Sequence, residues 1–342
     1  MPVVRPFSAL RYDPSVAGPL DGLVAPPYDV IDVEARLGYL ARSPYNVVHL
    51  TLPDSPAAAG AALAEWRAEG VLAEAPESYW WVRQDYRGPD GVERTREGFA
   101  AAVEAVPYSA RQVLPHERTH AGPKAGRLDL LRATRTQLEP IFLLYDAEPL
   151  LERPRGKPAL DVEEGSVRTR VWPIRAGELS LDVPLLIADG HHRYETAVAY
   201  REEQPAATHT LAILVSSRAP GLEIFPTHRI AKHVGNVPGD EVDGPGDGVT
   251  LYRSGKFVRV RTDDGFGPRV VESFQPEGVS YTPYADEAVA AVDRGDAEAA
   301  FLLEPVTVDQ VAAFADRGET MPQKSTFFYP KLTSGLLLYS VG

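Results

Sequence analysis

The chain has 342 residues, of which 44% are hydrophobic and 24% are charged, a composition typical of a folded globular protein and unlike that of a disordered one. This length exceeds the usual size of a single hydrophobic core, which predicts one large elaborated domain or two to three packed subdomains. The net charge of −13, without any long Lys/Arg block, disfavours nucleic acid as a partner, although a local cluster of amides and cations can still bind a small phosphorylated ligand.

Cysteine is absent from the sequence, which excludes disulfides, thiolate nucleophiles and cysteine-ligated zinc. No run approaches the roughly 18 to 20 apolar residues that cross a bilayer, and the first residues lack a basic segment followed by an apolar one. We therefore expect a cytoplasmic protein that has no membrane partner. A homo-oligomer is compatible with these features.

Proline and short apolar runs dominate the first fifty residues. Pro26 and Pro27 predict a rigid loop that orients Tyr28 and Asp29, because proline fixes φ and removes a hydrogen-bond donor. A helix that ends at a glycine is predicted over residues 57–70.

The next stretch predicts β-structure. The turn residues Gly-Pro-Asp-Gly at 88–91 separate the β-prone segments 78–82 and 97–103, which predicts a hairpin. The apolar run at 140–145 predicts a buried strand. Residues 146–170 are expected to form a connection that contains a small helix or strand.

A strand, a sharp turn and a helix are predicted in succession over residues 185–188, at Gly190 and over residues 194–203. Another strand is predicted over residues 209–215, and the glycine-rich stretch 235–248 predicts an exposed linker or insertion. Short strands are also predicted over residues 257–261, 300–303 and 336–339.

Two helices are predicted in the last hundred residues. One covers residues 308–317, and its Thr307 and Gln310 have the spacing of a capping box. Together these elements predict a mixed α/β (α+β) fold. The predicted division is a main α/β domain over 1–235, a linker or insertion over 236–249 and a C-terminal α/β segment over 250–342.

The run Asp189-Gly190-His191-His192-Arg193 lies between the predicted strand and helix. Free backbone N–H groups and the dipole at a helix N-terminus favour an anion, so this turn predicts a phosphate site. Arg193 adds a fork of donors at a helix start that we expect to face the surface, and the charge of the histidines varies near neutral pH. Asp189 can accept a substrate proton or hold magnesium.

An alternative interpretation of this turn is that Asp189 merely caps the helix and that both histidines are surface residues. Adjacent histidines also point in different directions on a helix, which makes them a poor metal pair.

A second candidate cluster is the run His116-Glu117-Arg118-Thr119-His120. Two histidines four residues apart would share a helix face and could bind zinc, but Pro115 and Thr119 and the lack of a surrounding apolar helix favour a loop. We favour a polar loop that lines a site, with Glu117 as base or magnesium ligand. Lys124 and Arg127 would then be phosphate partners.

Two further runs contain candidate ligand-binding residues. Thr227, His228 and Arg229 follow a strand-like segment, and the alternative is a turn with solvated polar groups. Residues 321–331 offer an anion the side chains of Lys324, Ser325, Thr326 and Lys331, and the alternative is an aromatic C-terminal anchor.

Six separated motifs resemble those of the bacterial and archaeal family called domain of unknown function 1015. In chain order they are APPYDVI (25–31), PYN (44–46), HERT (116–119), IADGHHRYETA (187–197), PTHR (226–229) and MPQKST (321–326). They extend over nearly the whole chain in the expected order.

The DGHHR motif also resembles that of the free-serine kinases, which belong to the ParB/sulfiredoxin-like superfamily. This resemblance covers some tens of residues and implies a ParB/sulfiredoxin-like core with large flanking elaborations. It implies that Gly190, His192 and Arg193 hold the phosphates of a nucleotide, and that Asp189 serves the hydroxyl acceptor or a metal.

Our hypothesis is a nucleotide-dependent phosphotransferase that uses ATP or ADP with Mg²⁺ and acts on a small hydroxylated metabolite, with free serine as one candidate. The chemistry needs mainly positioning and charge stabilisation. The predicted catalytic residues are Asp189, Glu117 and His191, with Asp189 also as metal ligand. The predicted nucleotide-binding residues are Gly190, His192, Arg193, His116, Lys124, Thr227, His228, Arg229, Lys324, Ser325 and Thr326. The alternative is a non-catalytic nucleotide sensor or regulatory module.

Overall fold

A computed structural model describes residues 1–119, 121–177 and 179–341. The chain divides into two compact units. The first unit comprises Met1–Pro115, Thr119–Leu222 and Pro330–Gly342, and the second comprises His116–Arg118 and Glu223–Tyr329.

Strands and helices are interspersed along the chain, so the predicted mixed α/β fold is confirmed. The strands are β1 (Val3–Arg5), β2 (Ala9–Tyr12), β3 (Leu72–Glu74), β4 (Tyr79–Arg87), β5 (Glu93–Glu104), β6 (Val113–Leu114), β7 (Thr136–Gln137), β8 (Ile141–Tyr145), β9 (Leu160–Glu164), β10 (Val167–Ile174), β11 (Leu179–Ser180), β12 (Leu185–Asp189), β13 (His209–Ser216), β14 (Glu223–Phe225), β15 (His228–Ala231), β16 (Gly239–Val242), β17 (Thr250–Arg253), β18 (Lys256–Val260), β19 (Ser280–Thr282), β20 (Ala299–Leu302), β21 (Phe327–Tyr329) and β22 (Leu338–Ser340). The helices are α1 (Pro14–Ala17), α2 (Val33–Arg42), α3 (Val48–Thr51), α4 (Pro56–Ala68), α5 (Ala121–Thr134), α6 (His191–Glu203), α7 (Gly267–Ser273), α8 (Ala285–Asp293) and α9 (Val308–Asp316).

The main sheet of the first unit has the strand order β6-β12-β8-β13-β5-β4-β10-β9, and β1 joins β5 and β11 at its side. β12 lies antiparallel to β8, while β8 and β13 are parallel. Apolar side chains of these central strands, such as Phe99, Leu143, Ile187 and Leu214, form one buried cluster. Because β12 is buried up to Asp189, its C-terminal end carries a polar residue directly out of the core.

A smaller sheet, β3-β2-β22-β7, completes the first unit and packs with α4 and α5 around a second core cluster. It includes the C-terminal strand β22, which pairs with β2 and β7. The last residues of the chain therefore belong to the same unit as the first.

The second unit contains a sheet of order β16-β18-β17-β20-β15-β19 and the separate pair β14-β21. Its core is formed by residues such as Leu251, Val271 and Phe301. α9 begins with the predicted capping box, since the Thr307 side chain accepts from the Gln310 amide and the Gln310 side chain accepts from the Thr307 amide.

Several predicted elements are confirmed. The hairpin is formed by β4 and β5, the buried strands are β8, β12 and β13, and the strand, turn and helix around Gly190 lie where expected, although α6 begins at His191 rather than at Tyr194.

Other expectations differ from the structure. Residues 146–170 contain the strand β9, one of the two expected alternatives, but they also contribute the start of β10, which pairs with it. The last hundred residues contain α7, α8 and α9 rather than two helices. The stretch predicted as linker contains β16, which pairs with β18. The unit boundary falls at 222/223 and the chain returns to the first unit at Pro330, because β22 pairs with N-terminal strands that lie far away in sequence.

Among the residues that the structure describes, no helix has the length and apolar character needed to span a bilayer.

The packing of α4 against the end of α5 requires a glycine at position 60. A Cβ there would lie 2.7 Å from the carbonyl oxygen of Ala133, which is backbone and cannot move aside cheaply. We expect Gly60→Ala to lower the free energy of unfolding by about 1–3 kcal/mol in urea denaturation, as overpacking does. Gly38→Ala in α2 is the control, because a Cβ there meets nothing within 4 Å. It should be neutral or stabilise by up to about 1 kcal/mol, since alanine is the better helix former. Equal losses in both variants would contradict the close approach.

Candidate functional site: the Asp189 turn

β12 ends at Asp189, and α6 begins two residues later. Gly190 between them has a φ of 96°, which a residue with a Cβ rarely adopts. A Cβ at this position would also lie 3.1 Å from the guanidinium of Arg193, which folds back over the turn. Gly190 is the N-cap of α6, and no side chain caps this helix. Local sequence therefore determines this strand-to-helix turn.

The carboxylate of Asp189 lies between two cations. Its Oδ2 is 2.5 Å from Nη2 of Arg193, and its Oδ1 is 2.5 Å from Nζ of Lys331. The Asp189 side chain is only 14% exposed. Burial alone would raise the pKa of Asp189, but the charges of Lys331 and Arg193 hold that pKa well below its usual range. Asp189 is therefore a carboxylate with both oxygens engaged.

Arg193 is buried rather than directed to the surface, so the expectation of a surface-facing guanidinium is wrong. The residue is 7% exposed, and its Nη1 donates to the carbonyl oxygen of Pro140 at 2.5 Å. Because Arg193 bonds both Asp189 and the residue that precedes β8, it ties the turn to the neighbouring strand. Its predicted role in phosphate binding stays a prediction.

Glu139 connects the turn to the proline-rich N-terminal motif. Its Oε1 accepts from the Tyr28 amide at 2.9 Å and from the Ser334 hydroxyl at 3.0 Å. Burial raises the pKa of Glu139, an effect that the charges of Arg193 and Arg127 partly offset. The motif at 25–31 and the C-terminal segment thus meet on one buried carboxyl.

Two of the predicted phosphate partners already have protein partners. Lys124 Nζ lies 3.0 Å from Oε2 of Glu195, which also accepts from the Thr119 hydroxyl at 2.8 Å. Arg127 lies 3.9 Å over the ring of Tyr28 and donates to a backbone carbonyl. Lys124 and Arg127 lie on α5 rather than in a loop, and Glu195 of α6 contacts both α5, at Lys124, and the segment before it, at Thr119.

Arg96 is a residue of this region that the sequence analysis missed. It is 2% exposed, and its guanidinium lies 4.5 Å over the ring of Phe142. Its Nη2 donates to Oε1 of Gln84 at 2.5 Å and to the carbonyl oxygen of Pro330 at 2.6 Å. Gln84 in turn donates to the carbonyl of Lys331. Burial lowers the pKa of Arg96 to about 10. The pair holds the backbone from which Lys331 reaches Asp189.

The sequence of β5 contained an indication that this arginine is buried. Arg96 stands two residues before Gly98 and four before Ala100, so all three share one face of the strand, and the residues after Arg96 are almost all apolar. A charged residue on that face predicts a buried polar partner.

In the second unit, His116 and Glu117 of the HERT motif contact the segment around the MPQKST motif. His116 Nε2 lies 3.0 Å from the Thr326 hydroxyl, the Met321 amide donates to the His116 carbonyl, and the Lys324 amide donates to Glu117 Oε1 at 3.3 Å. Ser325 donates to the carbonyl of Pro322. His120 lies outside the described residues. That these segments surround one ligand together with the Asp189 turn stays a prediction.

Residues 227–229 are buried, which contradicts the alternative of a solvated turn. The Leu303 amide donates to His228 Nδ1, and burial, helped by the charge of Arg229, lowers the pKa of His228 to about 4, so this imidazole is neutral. Arg229 donates through Nη1 to the carbonyl of Thr227. Within the described residues, the Thr227 hydroxyl and Arg229 Nη2 make no hydrogen bond.

Magnesium does not fit Asp189 as the site stands, because an ammonium and a guanidinium take both of its oxygens. In the described part of the chain, no group of three His, Asp or Glu side chains is arranged for a metal ion.

The chain belongs to the family described as "Protein of unknown function (DUF1015)", whose model matches residues 4–242. The family named from the six motifs is thus confirmed, although the match ends before the MPQKST motif. No curated protein matches the chain.

Solved structures to which the chain is similar include a point mutant of free serine kinase in complex with AMP, at 14% identity, 66% coverage of this chain, 89% of that chain and a TM-score of 0.42. A conserved hypothetical protein from Pyrococcus furiosus has 15% identity, 64% and 90% coverage and a TM-score of 0.38. C-terminally truncated SbnI from Staphylococcus aureus has 11% identity, 70% and 86% coverage and a TM-score of 0.45.

The buried pairing of Asp189 predicts a pH dependence of stability. Since the folded-state pKa of Asp189 lies below its unfolded value of about 3.9, the charged carboxylate stabilises the fold above that pH, and this contribution is lost as the pH falls towards the folded-state pKa. The difference in unfolding free energy between wild type and Asp189→Asn should stay constant from about pH 5 to pH 8 and shrink below about pH 4. In a Lys331→Gln background the shrinkage should be smaller and should end at a higher pH, because the loss of one stabilising cation raises the folded-state pKa of Asp189. A difference in unfolding free energy that stays the same at every pH would contradict this pairing.

The Arg96 contacts predict a specific loss on substitution. We expect Arg96→Met to lower the unfolding free energy by about 1–3 kcal/mol, because the carbonyl of Pro330 and the side chain of Gln84 lose a buried partner. Arg87→Met, at the exposed end of β4, is the matched control. Hydrogen exchange should also speed up at the Ser334 amide, which bonds the Ala25 carbonyl. Unchanged exchange at Ser334 would mean that Arg96 does not hold this segment.

Proposed function

We propose that the protein is a nucleotide-dependent phosphotransferase acting on a small hydroxylated metabolite. The observation that carries this proposal is the start of α6, a 13-residue helix without a side-chain cap that begins beside Arg193 and Lys331. Helix N-termini attract anions through their backbone N–H groups and dipole, and adjacent cations strengthen this attraction.

Lys331 is the cation that we assign to the transferred or neighbouring phosphate. Its side chain is more exposed than that of Arg193, at 21% against 8%, and its flexible stem can turn from Asp189 towards a ligand. Half-buried His192 in the first turn of α6 is the proposed second donor. Arg193 and Gly190 support the turn itself.

Phosphoryl transfer to a hydroxyl forms a bond between the acceptor oxygen and the γ-phosphorus of ATP. The bond from that phosphorus to the ADP oxygen breaks, and the hydroxyl proton passes to a base. Because Asp189 has a lowered pKa and both oxygens engaged, it is a weak base, and we assign it the positioning of Lys331 and Arg193. Glu117 remains the proposed base. Magnesium, where required, would be bound through the nucleotide phosphates.

The unpaired donors of the second unit support an anionic ligand there too. Thr227 Oγ1 and Arg229 Nη2 are buried, and each still lacks a hydrogen bond in the described chain. Buried polar groups in proteins are usually satisfied, so these atoms are suited to a ligand.

A non-catalytic nucleotide sensor is the second candidate. The observation that favours it is the same engagement of Asp189 by two cations, because a sensor needs a charged pocket but no free carboxylate near the phosphate.

Nucleotide binding and turnover separate these candidates. We expect ATP or ADP to raise the melting temperature by mass action. Lys331→Gln and His192→Gln should weaken binding at least tenfold, because each replaces a donor that can carry a positive charge with a neutral amide. Lys157→Gln, a change at an exposed lysine, should bind as wild type does.

Turnover is measured as ADP formation with a panel of hydroxylated acceptors. Free serine is tested first, because the DGHHR motif resembles that of free-serine kinases. Glu117→Gln should bind nucleotide normally and lose turnover. Nucleotide binding without turnover for any acceptor would favour the sensor, and no binding of any nucleotide would reject both functions.

A further inference from the structure

A cavity of about 530 Å³ opens in the first unit at the sheet edge opposite the Asp189 turn. Asp189 pairs with Phe142 near the start of β8, whereas the cavity is lined by Tyr145 at the end of β8, which pairs with Leu185. The volume lies within the range of about 300–1,000 Å³ that is typical of small-ligand sites. This cavity plays no part in the function proposed above.

Part of the cavity wall is aromatic. Trp81 and Phe99 are direct neighbours across β4 and β5, and Phe99 contacts Tyr145 with ring centroids 6.3 Å apart. All three side chains are at least nine-tenths buried, so the wall is held in place by the core. Aromatic walls of this kind favour a ring, which can pack edge-to-face or offset against them.

The part of the cavity lining around Gly221 is also fixed. Gly221 has a φ of 71°, and a Cβ on it would lie 2.1 Å from the carbonyl oxygen of Thr95, so its loop is pressed against β5. The Tyr86 hydroxyl donates to the Gly221 carbonyl at 2.9 Å. The cavity is therefore preformed, which reduces the entropic cost of binding.

The rim carries one end of a continuous row of alternating charges across the sheet. Neighbouring members lie within 4 Å of each other, and the row has an arginine at both ends. It consists of Arg153, Glu97, Arg83, Asp85, Arg170, Asp161 and Arg168, with successive N···O distances of 3.3, 3.9, 2.8, 3.1, 3.6 and 2.8 Å. Four guanidinium groups thus meet three carboxylates in a chain whose net charge is −13.

The surplus charge lies at the cavity end of the row. Arg153 and Arg83 share the single carboxylate of Glu97, and in the described residues neither makes a hydrogen bond to it. Arg153 has no other partner in the described chain and is 56% exposed, so its planar fork of donors is available. Such a fork matches a carboxylate or a phosphate.

We infer that this cavity binds a small aromatic acid, with its ring against Trp81 and Phe99 and its carboxylate or phosphate on Arg153 and Arg83. The ligand uses the two features that the cavity combines, an apolar aromatic wall and two arginines that share the carboxylate of Glu97. No change to a covalent bond is involved.

Titration calorimetry with four probes tests the inference: phenyl phosphate, benzoate, benzyl alcohol and inorganic phosphate. We expect at least one of the two aromatic acids to bind at least tenfold more tightly than both benzyl alcohol, which lacks the charge, and inorganic phosphate, which lacks the ring. The comparison between phenyl phosphate and benzoate identifies the preferred acid group.

Variants locate the binding. Arg153→Gln should weaken binding of the preferred acid at least tenfold, and Arg153→Lys should recover only part of it, because lysine keeps the charge and loses the fork. Arg294→Gln is the matched control, an exposed arginine paired with Asp296 in the second unit. Lys331→Gln should bind the probe as wild type does, which separates this cavity from the Asp189 turn.

Three results would overturn the inference. These are equal affinity for benzyl alcohol and the acids, unchanged affinity in Arg153→Gln, and a loss that occurs only in Lys331→Gln. The inference would also be overturned if neither acid bound at a concentration of about 10 mM. A Kd of that size corresponds to a binding free energy of less than about 3 kcal/mol.

Discussion

A buried carboxylate held by two cations is the interaction on which the first unit depends. Asp189 leaves the core at the end of β12, and a charge at such a position is costly unless it is paired and hydrogen-bonded. Arg193 supplies one partner from the first turn of the next helix, and Lys331 supplies the other from 142 residues further along the chain. Removing either partner would leave the carboxylate partly uncompensated, a change that in other proteins costs about 3–5 kcal/mol.

The same pairing shapes what the turn can do. A carboxylate whose pKa is held low cannot readily take a proton from a hydroxyl, so its chemical value lies in orienting the cations around it. Lys331 is then shared between Asp189 and any phosphate at the start of α6. The backbone of Lys331 is held by Gln84 and, through Pro330, by Arg96, so the residue proposed to bind phosphate belongs to the stretch that these two side chains anchor.

The arginines of the first unit fall into two groups that differ in burial and in bonding partners. Arg96 and Arg193 are buried and bonded to backbone carbonyls, so they serve the architecture. Arg153 stands at the end of a row of surface ion pairs with donors to spare. Isolated surface pairs contribute little to stability, which is consistent with the proposal that Arg153 serves a ligand of the aromatic cavity.

Local sequence determined the elements that depend on near neighbours. Gly190 makes the strand-to-helix turn predictable because few other residues tolerate its φ, and Thr307 with Gln310 predicts the start of α9 because a capping box spans only one helical turn. The six motifs were sufficient to name the family.

Tertiary structure alone decided the partners of the buried charges. Arg96 meets Pro330 across 234 residues, and the Tyr28 amide meets Glu139 across 111. The spacing of residues along the chain does not indicate contacts between residues so far apart. The sequence therefore could not show that Arg193 faces inward or that Lys331 reaches Asp189. A charged side chain in a motif can serve a ligand or the fold equally well, and only the position of its counter-charge, which folding sets, distinguishes the two roles.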